Sequence, residues 1–241
     1  MSDDYRLSVL ICAVDETESL EKCVAQLRDA VDAYEYVFVL SRDCLPETRR
    51  TVRRLCEAPD CRYLVQDSYG YGNAIRNGIA ATAGTHMLMW TADGGLDVSS
   101  VPEMKRISES DPKNIVKVSR WLPGGGFVNY GRLRKIANYL SQKAFAVLYG
   151  VKLTDFTNGA LIAPLDLFKN IRWDNKDFSF VPEMIFKPLR LGVRFTEVPC
   201  VNYERREGVS HVSFAHLVKY YLVIFRIRFE DRSKLILNSG K

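Results

Sequence analysis

Residues 69–97 read YGYGNAIRNGIAATAGTHMLMWTADGGLD, and this stretch decides the fold. Gly70 and Gly72 stand ahead of a small-residue pattern at helical spacing that carries Asn73, Ala74, Gly78 and Ala81, and Gly84 closes it. The apolar run 87–90 then reads as a buried strand that brings Ala92 and Asp93 to its C-terminal end. Glycine lets a backbone approach a ligand closely, and open α/β sheets bind ligands beyond the carboxyl ends of their strands. An acid at such a strand tip can hold the metal that neutralises a diphosphate. The segment therefore reads as a βα unit of a nucleotide-diphosphate site, or as an ordinary βα unit whose acid falls in a loop.

The same rhythm extends outward from this stretch. Residues 7–13 form a continuous apolar run, a buried parallel strand, and 15–19 supply a helix N-cap region. Leu20, Val24, Leu27 and Val31 follow at helical spacing. A second strand is expected at 36–40, a basic helix at 46–56 with Pro46 in its first turn, and a third strand at 61–65. A capped helix at 97–110 and a fifth strand at 115–119 complete a β-α-β-α-β-α-β-α-β order. That order implies a right-handed, mostly parallel sheet with helices on both faces. Beyond Arg120 the pattern changes to a triple-glycine loop at 124–126, a long helix at 132–149 that is basic at its start, and a loop and strand over 153–163. Helices at 164–170 and 183–191, a strand at 193–201, a polar loop at 202–211 and a last helix at 213–229 follow. The chain is read as one domain over 1–241, with a first half at 1–119, a second half at 120–212, and a C-terminal amphipathic helix and tail at 213–241.

Composition fits this reading. The 241 residues are 47% hydrophobic and 26% charged, enough for one α/β domain with a large core. A net charge of +5 is mildly basic, which suits an anionic substrate or an anionic membrane surface and lacks the marks of a nucleic-acid binder. Six scattered cysteines with no CxxC pair imply a reducing cytoplasm rather than a disulfide framework. The acidic start MSDDY, which leads into a strand, does not read as a signal peptide, and no stretch has the 18 or more apolar residues of a membrane span.

Four motifs in order resemble the family-2 inverting glycosyltransferases of the GT-A fold, most of all the polyprenyl-phosphate branch that includes the dolichol-phosphate mannose synthases. Residues 12–20, CAVDETESL, stand where the family opens with P-x-Y-N-E-x-E-N-L. The glycine segment keeps Gly70, Gly72, Ala74, Gly78 and Gly84, and Thr91-Ala92-Asp93 occupies the D-x-D strand end. The acceptor-side pattern comprises Ser119-Arg120, Gly124–Gly126, Asp155-x-Thr157-Asn158-Gly159, Glu183-Met184, Glu197-Val198-Pro199 and Arg205-x-x-Gly208-x-Ser210.

The resemblance implies a hexose transfer from a GDP- or UDP-sugar to a polyprenyl phosphate, or to a sugar hydroxyl of a glycan or glycolipid. A non-catalytic nucleotide-binding relative is the reading from another class. Ala13, Asp15, Glu16, Asp43, Asp67, Gly70, Gly72, Asn73, Ala92 and Asp93 are the expected nucleotide contacts. Asp15 also makes a good N-cap and Asp67 a good turn residue. Asp93 is the expected ligand for Mg²⁺ or Mn²⁺, with Asp97 as a helper, because Thr91 replaces the first acid of the D-x-D. Magnesium often uses one or two carboxylates plus substrate phosphates. Arg120, Arg132, Arg134, Arg205 and Ser210 are expected around an acceptor phosphate, which arginine forks match. Arg132 and Arg134 also suit a solvated helix face. A hydroxyl acceptor would instead need a carboxylate base, and Asp155 and Glu183 are the candidates. Asp93, Asp155, Glu183 and Arg205 thus form the expected catalytic set.

The stretch 214–229 is apolar nearly all round, is broken by Lys219, Arg226 and Arg228, and is too short to span a bilayer. It reads either as an interfacial helix with snorkelling basic residues or as a core helix. The expected location is the cytoplasm or the cytoplasmic membrane face, reached peripherally or through a membrane subunit.

Overall fold

Alternation along the strands builds two layers. In the computed structural model, which describes residues 5–204, 207 and 214–237, β1 (Leu7–Ala13) turns Leu7, Val9 and Ile11 to one core and Leu10 to the other. α1 (Glu18–Ala30) covers the first face through Leu20, Cys23, Val24 and Leu27. β2 (Glu35–Leu40) repeats the division, with Tyr36, Phe38 and Leu40 on the first face and Val37 and Val39 on the second. α2 (Pro46–Leu55), β3 (Cys61–Val65), α3 (Tyr71–Ala81) and β4 (His86–Thr91) continue the βα order. α4 (Val101–Ser110) follows a 3-10 turn at Val98–Ser100 and leads to β5 (Ile115–Ser119). Strands apolar on both sides are what a sheet covered on both faces requires, and each fully buried Leu, Ile, Val or Phe contributes about 1.5–3 kcal/mol of transfer free energy.

The second half departs from simple repetition. β6 (Gly126–Phe127) leads into α5 (Arg132–Tyr149), then β7 (Leu161–Pro164), α6 (Leu165–Asn170) and α7 (Phe180–Arg190). β8 (Phe195–Pro199), β9 (Val201–Asn202) and α8 (Phe214–Phe229) complete the elements, with a 3-10 turn at Arg232–Leu235. The seven-stranded sheet has the order β3-β2-β1-β4-β7-β5-β8. β7 runs antiparallel between β4 and β5, whereas every other pairing in the sheet is parallel. The sheet is thus mostly parallel, as expected, with a parallel succession over β3-β2-β1-β4 and a single antiparallel strand after it. α7 begins at Phe180 rather than at the expected 183, and the expected strand at 193–201 is split into β8 and β9.

The second face is covered by α3, α6, α7 and α8, which contribute Ile75, Phe168, Phe186 and Ile224 to its core. All six cysteines are free. No helix among the described residues is long and apolar enough to cross a membrane.

Candidate active site

The parallel strands β3, β2, β1 and β4 end on one edge and deliver the expected donor residues in spatial order. The strand-end loops are stitched together: Ser41 N donates to Ala13 O at 3.1 Å, Leu45 N to Val14 O at 2.9 Å, and Gln66 N to Leu40 O at 3.0 Å. Arg42 Nη1 adds a bond to Asp67 O at 2.9 Å. Asp67, Asp43, Asp15, Glu16 and Asp93 thus lie on adjacent loops of one sheet edge. The Glu16 carboxylate folds back on its own turn and accepts from Val14 N at 2.8 Å and Asp15 N at 3.3 Å. Burial pushes the Glu16 carboxyl up from its ordinary value, against those bonds. Asp43 is exposed and accepts from the Ser41 hydroxyl. Asp67 accepts from Asn73 Nδ2 at 2.6 Å, and that amide is the main cause of its lowered pKa.

Asp93 is buried just beyond β4 beside buried Ala92, and its Oδ1 accepts from Gly95 N at 2.9 Å. Two residues earlier, Thr91 Oγ1 is buried with no hydrogen-bond partner. Asp97 is turned away to cap the 3-10 turn, accepting from Ser99 N at 3.0 Å. No cluster of three or more His, Cys, Asp or Glu side chains suited to a metal occurs among the described residues. The donor set fits a magnesium-like ion that keeps waters and takes phosphate oxygens, and does not fit a cage made by the protein alone.

Two glycines of the opening segment also stand against the protein's own chain. A Cβ on Gly72 would lie 2.6 Å from Phe180 Cβ and 2.8 Å from Asn175 O. Gly70, with φ of 115°, would drive a Cβ into Lys176 O. The close approach here is made by the protein's own loop at 174–177, and Asn73 N donates to Lys176 O at 3.0 Å.

Glu183 anchors that loop. It is fully buried and accepts from Asn175 N at 3.2 Å and Asn175 Nδ2 at 3.0 Å, with Lys187 Nζ at 3.1 Å. Burial raises its pKa against the opposing charge of Lys187. Asp155 is likewise fully buried, gripped by Arg120 through Nε–Oδ2 at 2.7 Å and Nη2–Oδ1 at 2.9 Å. Burial alone would raise the Asp155 carboxyl, but the Arg120 guanidinium and buried Lys117 hold it far below the carboxylate range. Lys117 Nζ donates to the backbone oxygens of Val118 and Asp155. Glu197 orders the same turn, accepting from Thr154 N and Asp155 N, each at 2.8 Å. The two expected bases and the expected phosphate ligand Arg120 are therefore engaged as internal struts.

Arg132 and Arg134, by contrast, are exposed on the first turn of α5. With Lys135 they put three cations at a helix N-terminus whose dipole favours anions, and that turn carries no acid. Arg205 and Ser210 lie outside the described residues.

Sequence reading missed Glu207. Its carboxylate accepts from Thr17 N at 2.6 Å, Ser19 Oγ at 2.8 Å, Thr17 Oγ1 at 3.1 Å and Ser19 N at 3.2 Å. α1 has no cap from its own N-cap residue, so a residue 190 positions away completes that helix end. Burial opposes ionisation, yet these bonds bring the Glu207 carboxyl down to about 2. The chain leading to it crosses the strand ends in turn: Gly126 N donates to Cys200 O, Asp97 N to Val201 O, and Tyr203 N to Gly95 O.

A mostly parallel sheet with one antiparallel strand, and with acids gathered at the C-terminal edge of its parallel strands, is the arrangement of a GT-A glycosyltransferase. The chain belongs to glycosyl transferase family 2, whose profile matches residues 8–171. It is 30% identical over 217 residues to undecaprenyl-phosphate mannosyltransferase of Micrococcus luteus, covering 86% of this chain and 88% of that protein. It is 22% identical over 203 residues to glycosyltransferase AglJ of Haloferax volcanii, covering 83% of this chain and 64% of the relative. Among solved structures, glucosyl-3-phosphoglycerate synthase of Mycobacterium tuberculosis, in complex with Mn²⁺, UDP-glucose and phosphoglyceric acid, superposes with a TM-score of 0.70. That match has 14% identity and covers 93% of this chain and 80% of the other, so it speaks to fold alone.

Proposed function

We propose that the protein transfers a hexose, with inversion, from a nucleotide sugar to a polyprenyl phosphate at a membrane face. The observation that carries this reading is the surface made by α5 and α8. The helices pack side by side: Tyr149 Oη donates to Ile224 O at 2.7 Å and Arg228 Nε to Leu148 O at 2.7 Å. α8 buries Tyr220, Val223, Ile224 and Ile227, so it serves the core on one side. Its other side exposes Leu222, Phe225 and Phe229, and α5 exposes Leu133, Ile136, Leu140 and Val147. Leu133 and Val147 are each 84% exposed and Phe229 is 76% exposed. Neither helix contains an acidic residue, and together they carry Arg132, Arg134, Lys135, Lys143, Lys219, Arg226 and Arg228. Lys219 and Arg226 are paired with Asp177 and Asp174, so the charge offered outward is chiefly that of α5, and an apolar face with such cations suits an anionic lipid surface.

The cationic start of α5 supplies the acceptor phosphate site in this reading, through Arg132 and Arg134. A phosphate is already ionised at neutral pH and needs no base. This agrees with the engagement of Asp155 and Glu183 in internal ion pairs, and a hydroxyl acceptor has no such support. The donor lies along the edge formed by Asp15, Glu16, Asp43, Asp67 and Asp93. Asp93 would hold Mg²⁺ or Mn²⁺, which when bound would withdraw charge from the leaving diphosphate. The relative that acts on undecaprenyl phosphate, by its name, supports the same acceptor class.

The test is transfer of labelled hexose from UDP- and GDP-sugars into the organic phase, with undecaprenyl or dolichyl phosphate and Mg²⁺ or Mn²⁺. Label should enter the lipid phase. Asp93→Asn should lower the rate on the order of a hundredfold or more without unfolding the protein. Transfer only to glycan hydroxyls, or none with any donor, would overturn the reading.

A further inference from the structure

Four aromatic rings on the acceptor side belong to neither hydrophobic core: Trp121, Phe127, Tyr130 and Tyr139. They contact one another in a chain. Trp121 meets Phe127 at 4.9 Å and Tyr139 at 5.2 Å between ring centroids, and Phe127 meets Tyr130 at 4.8 Å. None is buried, and Tyr139 is exposed. The first turn of α5 lies against the same rings: Lys135 Nζ is 5.5 Å from the Phe127 centroid, and the Arg134 guanidinium is 5.6 Å from that of Tyr130.

The wall is held rigid from behind. Trp121 Nε1 donates to Asn138 Oδ1 at 3.2 Å, and Asn138 Nδ2 donates to Thr157 Oγ1 at 3.1 Å. Gln142 Nε2 bonds both, and Arg120 Nη2 donates to Thr157 Oγ1 at 2.7 Å while gripping Asp155. Fixed aromatic surface that remains accessible is costly to keep unless a ligand uses it, and preorganised rings bind apolar groups at little entropic cost. The cations beside the rings select an anion with an apolar tail.

We infer that Trp121, Phe127, Tyr130 and Tyr139 form the seat for the isoprene unit next to the acceptor phosphate; this rests on the polyprenyl-phosphate reading above. The phosphate is held at the α5 start while the first isoprene lies on the rings, and the rest of the chain leaves over Ile136 and Leu140 toward the lipid. The rings thereby discriminate an isoprenyl phosphate from a bare phosphate.

The experiment uses the full chain with farnesyl phosphate and inorganic phosphate as probes. Tryptophan fluorescence should respond to farnesyl phosphate and not to inorganic phosphate, and Trp121→Phe, which retains Trp90 and Trp173, should abolish the response. In transfer assays, Tyr139→Ala and Trp121→Leu should each raise the KM for the isoprenyl phosphate roughly tenfold, leaving the donor KM within about twofold. Tyr139 is exposed on a helix, so its variant stays folded, and a thermal melt checks this. Wild-type transfer to isoprenyl phosphate with unchanged KM in both variants would overturn the seat and leave the proposed function standing. Transfer by wild type to glycans but to no isoprenyl phosphate would overturn the proposed function, and the seat with it.

Discussion

At the donor edge, the carboxylates of Glu16 and Asp67 take hydrogen bonds from neutral groups: the amides of Val14 and Asp15, and the side chain of Asn73. On the acceptor side, Asp155 and Glu183 are fully buried against cations, Arg120 in one case and Lys187 in the other. A carboxylate held by neutral donors keeps its negative charge for a ligand or its counter-ion. One closed on a buried guanidinium or ammonium has spent its charge on the fold. The two regions therefore use the same residue type for opposite ends: the donor edge presents charge, and the acceptor interior consumes it. On that side the charge offered outward sits on the first turn of α5.

The largest expected effect tests this division directly. Removing one partner of a buried pair leaves the other charge uncompensated, so Arg120→Ala should destabilise the protein by about 3–5 kcal/mol in urea unfolding. Glu16→Gln should stay within about 1 kcal/mol of wild type. If Arg120→Ala kept full stability and lost only turnover, Arg120 would be a ligand for substrate and the contrast would collapse.

Next in size is Gly72→Ala. Its methyl would meet Phe180 Cβ and the Asn175 carbonyl, and the latter belongs to a loop pinned by Glu183. Overpacking of this kind costs about 1–3 kcal/mol, read as a fall in the unfolding midpoint. A loss of nucleotide binding with no loss of stability would return Gly72 to the role of a ligand-approach glycine.

Much of this was legible in the chain and some was not, for reasons of distance. The runs at 7–13 and 115–119 are strands with those bounds, because strands buried on both faces are mostly apolar; the exceptions, Ser8, Lys117 and Ser119, are buried with hydrogen-bond partners. The four-residue β7 was seen only as part of a loop and strand, and its antiparallel place between β4 and β5 depends on partners far away in sequence. Glu183 was open to a structural reading, since Lys187 stands at i+4 on the same helix. Asp155 was not, because Arg120 lies 35 residues away and nothing local announces the pair. Glu207 is the extreme case: Thr17 and Ser19 look like ordinary N-cap residues, and only the folded chain brings an acid to them.

Glu207 gives a smaller and pH-dependent effect. Losing a helix cap costs about 0.5–2 kcal/mol, so Glu207→Ala should destabilise by that order near neutral pH. Its carboxyl is lowered from the ordinary 4.5 to about 2 in the folded protein. A depressed pKa contributes stability that is present above the unfolded value and is lost as pH falls through the folded one. The gap between wild type and Glu207→Ala should therefore be constant above about pH 5 and close as pH falls toward 2. A gap that widened on acidification would mean the cap is made by another group.

The smallest effect on stability belongs to the outer face of α5, where the acceptor side presents charge and apolar surface together. Leu133 touches solvent over most of its side chain, so Leu133→Gln should change unfolding free energy by no more than about 0.5 kcal/mol. Its effect should appear elsewhere. A buried apolar side chain is worth about 1.5–3 kcal/mol on leaving water, and a lipid interface recovers part of that. Sedimentation with vesicles of phosphatidylglycerol should lose several-fold in partitioning for Leu133→Gln, and more for Leu133→Gln combined with Val147→Gln. Wild type should weaken with added salt, because the cations of α5 share the attachment and salt screens them. Equal partitioning of wild type and double variant would detach this face from the membrane and leave the acceptor phosphate to reach Arg132 and Arg134 from solution.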